Sequence, residues 1–165
     1  MNRGYSSVQY LEKVELLKKL IPDVEFTTDI IVGFPGEKRE DFQMTLDILE
    51  AVKYQNAFSF RFSRRPGTAA AAMDDPVDAE VRRSWLPELQ EVQNRITAEK
   101  HQNMVGKTLE VLVEGVDKKK SGFLEGRTRT NYIVHFPGNA ELTGRMLRVR
   151  VLRSGSIHLI GEMVI

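Results

Sequence analysis

Three stretches of the sequence carry residue types and spacings that could do chemistry. The first is Asp29-Ile30-Ile31-Val32-Gly33-Phe34-Pro35-Gly36-Glu37. It reads as a strand running into a glycine-rich turn, and in a strand–helix repeat ligands sit at the C-terminal ends of the strands. Glycine lets the backbone approach a ligand closely. A carboxylate such as Asp29 inside a buried strand must be hydrogen-bonded or face a polar cavity. An ordinary strand-to-helix turn explains the same letters, so both readings stay open. The second stretch is Ser63-Arg64-Arg65-Pro66-Gly67-Thr68, directly after another strand. Two guanidinium groups there suit a phosphate or a carboxylate, and they suit a solvated loop equally well. The third is a cationic tail. Lys118-Lys119-Lys120 lies in a turn, and Arg127, Arg129, Arg148 and Arg150 lie on or beside strands, with Phe123, Tyr132 and Phe136 nearby. Cations for phosphates and aromatic faces for bases are the usual means of RNA contact. A solubilising surface over a phenylalanine core is the bland alternative; the phenylalanines favour the core, and Tyr132 fits either.

Other chemistries are excluded by what the chain lacks. It has no cysteine, so it cannot itself form disulfides, thiolate zinc sites or cysteine-ligated iron–sulfur clusters. His101, His135 and His158 do not fall at a metal-ligand spacing and are expected at the surface or satisfied within a barrel. No Ser/His/Asp set, Walker-type loop or paired acidic metal site can be read. No apolar run reaches the roughly 18 residues of a membrane span, and the first residues lack a signal-peptide apolar stretch, so a cytoplasmic location is the expectation. The net charge of +1 hides an asymmetry. Residues 1–105 hold 14 Lys/Arg against 17 Asp/Glu, whereas residues 106–165 hold 10 against 6. The tail is therefore the part expected to meet an anionic partner.

The elements that must position these residues follow from periodicity. Val8, Leu11, Val14, Leu17 and Ile21 fall at helical spacing over residues 6–21, with Ser6 and Gln9 as a capping box and Pro22-Asp23 as the stop. Glu25 to Val32 reads as a strand; its run Ile30-Ile31-Val32 predicts burial on both faces, as in a parallel sheet. A helix over 39–53 turns Phe42, Leu46, Leu49 and Val52 inward, and Ala57 to Phe62 is the next strand, with Phe58, Phe60 and Phe62 alternating with Ser59 and Arg61. A loop from Ser63 to Asp75 and a long helix over 78–104 follow, with Asp78 as N-cap and Pro87 either kinking or splitting the helix. From Thr108 the period changes to two. Candidate strands at 108–114, 123–128, 131–136, 145–152 and 157–164 predict a small five-stranded, OB-like barrel. The domain boundary is placed near Val105-Gly106.

In order along the chain, Thr27-Thr28-Asp29-Ile30-Ile31-Val32-Gly33-Phe34-Pro35-Gly36-Glu37 with Asp41-Phe42, then Arg65-Pro66-Gly67-Thr68, then Gly126-Arg127-Thr128-Arg129-Thr130-Asn131 with His135-Phe136-Pro137-Gly138, resemble the radical-SAM methylthiotransferases. Met1-Asn2-Arg3-Gly4-Tyr5 resembles an internal segment of that family. The resemblance implies an α/β plus all-β chain: residues 1–105 as the C-terminal part of a radical-SAM (β/α) barrel with a long linking helix, and residues 106–165 as a TRAM RNA-binding barrel. Gly126 to Asn131 resembles the tRNA-modifying branch, which implies methylthiolation of an isopentenylated adenosine beside the anticodon. It further implies S-adenosylmethionine and two [4Fe-4S] clusters as cofactors and tRNA as partner. Asp29, Ile31, Gly33, Phe34 and Gly36 would then line the cofactor side, and Arg64, Arg65, Lys118, Lys119, Lys120, Arg127, Arg129 and Arg148 would grip RNA. The family's CxxxCxxC loop, its N-terminal cluster domain and the first four barrel strands are absent, and Arg64 and Ala69 stand where prolines are common. The chain alone is therefore expected to be inert, with its N-terminal half the less stable. It looks like a truncated product, one part of a split gene, or an expressed piece, with the missing N-terminal half as a further partner. A non-catalytic RNA-binding module and the branch that modifies a ribosomal protein are the alternatives.

Overall fold

A computed structural model describes residues 4–73 and 79–164, apart from the side chains of Ala79 and Arg82. The expected N-cap Asp78 lies outside the described residues. The chain divides into two compact units between Ile96 and Thr97.

In the first unit, α1 (Ser7–Leu20) starts at the capping box read from the sequence. Ser6 Oγ accepts the Gln9 amide at 3.2 Å, and the Gln9 side chain accepts the Ser6 amide at 2.9 Å. Of the expected apolar stripe only Val14 is buried; Val8, Leu17 and Ile21 are exposed. The reason is that α2 packs beside α1 and covers the centre of the stripe rather than its ends. β1 (Thr27–Val32) and β2 (Asn56–Arg61) form a two-stranded parallel sheet, joined through α2 (Arg39–Val52). α2 buries Phe42, Leu46, Leu49 and Val52, as its periodicity predicts. Lys53 ends it in the left-handed conformation, with φ +56°.

The two-sided burial expected of β1 is not observed. Val32 points into the helix-covered face with Phe42, Leu49, Trp85 and Leu89. Asp29 and Ile31 point the other way, in register with Phe58 and Phe60. Ile31 is 37% exposed, and Phe58 and Phe60 are each 54% exposed. Alternation had separated the phenylalanines from Ser59 and Arg61, but it does not reveal which face the helices cover.

Helix α3 (Ala79–Gln102) runs through Pro87 without a break. It is not split there, although proline removes one amide donor from the helix ladder. Its first part buries Trp85, Leu89 and Ile96 in the first unit.

The second unit is a closed barrel of β3 (Thr108–Val116), β4 (Phe123–Thr128), β5 (Ile133–Pro137), β6 (Met146–Ser154) and β7 (Leu159–Met163), in the order β3-β4-β5-β7-β6. All neighbours are antiparallel except β5 and β7. β5 begins two residues later than its alternation suggests, because Asn131 takes φ +68° in the preceding turn. The interior is filled by Val111, Val113, Leu124, Val134, Phe136 and Val149, among others. Tyr132 is 2% exposed, which makes it a core residue rather than a stacking platform. Among the described residues no helix is long and apolar enough to cross a membrane.

Candidate functional site

The glycine-rich turn after β1 is folded around one carboxylate. Glu37 Oε2 accepts the amides of Gly33 at 2.5 Å and Phe34 at 3.0 Å, and the Glu37 amide returns to the Phe34 carbonyl at 2.9 Å. Gly33 (φ +71°) and Gly36 (φ +82°) supply the left-handed residues that this turn requires. Burial pushes the Glu37 carboxyl up from its ordinary range, against the pull of the two amide donors. Phe34 meets Phe62 edge-on at 5.2 Å. The result is a cleft of about 610 Å³ at the C-terminal ends of β1 and β2, lined by Ile31, Phe34, Phe60, Phe62 and Arg65, among others. A second cleft of about 330 Å³ shares Ile31 and Phe34 and adds Gly36 and Glu37. Gly33 lines a third with Phe60 and Ser63. Asp29 lies on the same open sheet face, exposed, lower along β1. The two arginines part company: Arg65 lines the first cleft, while the Arg64 guanidinium donates to the Ala71 and Met73 carbonyls at 3.0 and 3.4 Å and braces the loop.

On the barrel, the cationic residues spread over several strands. Arg127 bonds to Glu114 at 3.1 Å and to Asn131 at 3.0 Å. Arg129 is exposed in the turn after β4. Arg148 and Arg150 both point outward from β6, as alternation predicts, in register with Glu110 and Glu162 respectively. Lys118, Lys119 and Lys120 are exposed between β3 and β4. Phe136 is buried in the core, whereas Phe123 is half-buried beneath the Lys120 ammonium, 3.5 Å from the ring centroid.

Two of the three histidines are hydrogen-bonded, and the third packs on one of them. His101 is buried and bonds through Nδ1 to the Gly155 carbonyl at 2.9 Å. His135 Nδ1 meets Asp117 Oδ2 at 2.6 Å, and its Nε2 lies 3.4 Å from Glu125. His158 stacks obliquely on His135 at 4.6 Å. Burial, and then the neighbouring His135, hold His158 below the ordinary imidazole range. A histidine whose folded pKa is depressed stabilises the fold above its unfolded value of about 6.5 and loses that contribution as pH falls through it. The barrel should therefore melt at a lower temperature at pH 5.5 than at pH 7.5, and His158→Gln should flatten part of that slope. A pH dependence unchanged in the variant would refute the assignment.

Sequence reading gives Glu37 and Asp117 no role of their own, and expects His135 only at the surface or satisfied within the barrel. A glutamate four residues after the first glycine of a tight turn is a readable signal for Glu37. Nothing in the spacing signals the other pair, which lies 18 residues apart and meets only through the barrel register.

The second compact unit is a small closed barrel, and the TRAM domain family matches residues 102–164. The rest of the chain is covered by longer relatives. Over 164 residues the chain is 48% identical to a tRNA-2-methylthio-N(6)-dimethylallyladenosine synthase of Symbiobacterium thermophilum and 47% identical to that of Moorella thermoacetica. Each match covers 99% of this chain, but only 35% and 37% of the relative. The chain thus spans about a third of the length of the curated relatives it matches. A solution structure of a conserved protein of Methanococcus maripaludis matches 37% of this chain and 80% of its own, at 24% identity and a TM-score of 0.32.

Proposed function

We propose that this chain is the part of a tRNA methylthiotransferase that grips the tRNA and walls one side of the cofactor site. The observation that carries the reading is the similarity to named tRNA-2-methylthio-N(6)-dimethylallyladenosine synthases along 99% of the chain, joined to a TRAM domain. In this reading residues 1–105 form the C-terminal part of a radical-SAM (β/α) barrel. The bare sheet face of Asp29, Ile31, Phe58 and Phe60 supports it, since a parallel sheet is normally covered on both sides. Further barrel strands and bound S-adenosylmethionine would complete that cover. Ile31 and Phe34 offer apolar contact to an adenine, Gly33 and Gly36 allow close backbone approach, and Asp29 faces the same side.

In this reading the substrate is an isopentenylated adenosine beside the anticodon, and the protein works in the cytoplasm. Lys118, Lys119, Lys120, Arg127, Arg129 and Arg148 of residues 106–165 hold tRNA phosphates, and Arg65, braced in its loop by Arg64, meets RNA at the cleft entrance. The cofactor and the iron–sulfur clusters supply the radical chemistry. The clusters do not fit the residues of this chain: it has no cysteine, and among the described residues no three His, Cys, Asp or Glu gather to hold a metal. In this reading their ligands come from the part of the longer relatives that this chain does not cover.

The test is binding of fluorescent tRNA by the purified 165-residue chain. With about six phosphates neutralised by the named barrel cations, affinity should fall on the order of 1,000-fold between about 50 and about 200 mM salt. Salt-insensitive binding or none would overturn the RNA reading. Reductive cleavage of S-adenosylmethionine by the purified chain alone would overturn the assignment of the clusters to another part.

A further inference from the structure

The lysine turn is the densest positive charge on the barrel, and a single carboxylate organises it. Asp117 Oδ1 accepts the amide N–H of Lys119 at 2.7 Å and of Lys120 at 3.2 Å. Its other oxygen, Oδ2, accepts from His135 Nδ1 at 2.6 Å. His135 is held in turn from the opposite side, where its Nε2 lies 3.4 Å from Glu125. The base of the turn is closed by backbone: the Asp117 amide donates to the Phe123 carbonyl at 2.8 Å, and the Phe123 amide to the Lys120 carbonyl at 3.2 Å. Lys120 lays its ammonium over the Phe123 ring. Among the described residues Lys118 and Lys119 have no carboxylate within ion-pair distance, and both project into solvent.

We infer that Asp117 and His135 are positioning residues that hold Lys118 and Lys119 ready as a clamp for an RNA backbone phosphate, with Lys120 as the anchor of the turn. This rests on the RNA-binding reading above and deepens it. A flexible lysine loop must be ordered when it binds, and a loop already ordered avoids that cost. The carboxylate is otherwise a poor neighbour for a phosphate site, because its charge repels the ligand. Its presence beside the lysines is explained by geometry rather than by charge.

The two effects have opposite signs, which makes the inference testable. Counting charges alone, Asp117→Ala should tighten RNA binding; positioning predicts that it weakens binding. Binding of a fluorescent tRNA anticodon stem–loop to the full chain should weaken about fivefold in Asp117→Ala. Asp117→Asn keeps an oxygen for the two amides and can donate to His135 Nδ1, so it should bind at least as well as the parent chain. Asp117→Glu keeps the charge but misplaces the acceptor, so it should weaken binding. In a Lys118→Ala/Lys119→Ala background, Asp117→Ala should change nothing further, whereas general damage to the barrel would still add its own loss. Tighter binding by Asp117→Ala, or an equal loss with and without the two lysines, would overturn the inference while leaving the RNA reading intact. A parent chain that shows no salt-sensitive binding would overturn both.

Discussion

Gly126→Ala should cost the barrel about 3 kcal/mol, at the upper end of what overpacking typically costs. Gly126 lies on the inner face of β4, and a methyl group added there would sit 2.4 Å from the Leu112 carbonyl oxygen and 2.6 Å from Val111 Cγ1. The carbonyl belongs to the backbone of β3, which cannot step aside without breaking its pairing with β4. Gly161 repeats the arrangement between β7 and β6, 2.5 Å from the Arg150 oxygen. Gly115 gives the control, because a methyl group at that position meets nothing within 4 Å. Gly115→Ala should therefore shift stability by about 0.5 kcal/mol or less. Native-state hydrogen exchange at the Val111 and Val134 amides reads the barrel directly. Equal protection in the two variants would show that close strand approach does not govern this site. Set against the 5–15 kcal/mol that usually separates folded from unfolded chains, the Gly126 loss is large.

In the first unit the corresponding weak point is Trp85. Its ring stacks on Phe42 at 5.0 Å with only 9° between the planes, and both are buried. Trp85→Ala should cost about 3–5 kcal/mol. That unit has little to spare, because one face of its two-stranded sheet is bare and α1 buries one apolar residue of its stripe. We expect exchange at the β1 and β2 amides to rise to near-unfolded rates in Trp85→Ala while barrel amides stay protected. The parent chain should already show weaker protection in residues 27–61 than in residues 108–163. Loss of protection in both units together would mean that they unfold as one body, and stronger protection in the first would reverse the predicted ranking.

The barrel was the more legible half. Val134 and Phe136 alternate across His135, and Val149 and Val151 across Arg150; Val111 and Val113 flank Leu112, which is apolar but points outward, and a period of two fixes both the strand and its inner face once the sheet closes on itself. The glycine turn after β1 was also readable, since Gly33 and Gly36 both take positive φ. Phe58 and Phe60 were not. Their alternation with Ser59 separates two faces, but an open sheet gives no local clue to which face the helices occupy. Tyr132 was undecided because a tyrosine can serve either role; its backbone bond to Thr128 Oγ1 at 2.9 Å and its T-shaped contact with His101 draw it inward. The Asp117–His135 pair was invisible for a different reason. It depends on which residue of β5 faces which residue at the end of β3 across an intervening strand, and a linear pattern does not encode that.

The placement of β7 between β5 and β6 also has a consequence for how the barrel should fold. The β3–β4, β4–β5 and β6–β7 hairpins join neighbours in sequence and can form early, but the barrel closes only through the β5–β7 and β3–β6 pairings, whose strands are far apart in the chain. Such distant pairings are entropically slow to find. A growing polypeptide on the ribosome would thus carry two unfinished sheet edges until residue 163 has cleared the exit tunnel, after which closure comes in a single cooperative step.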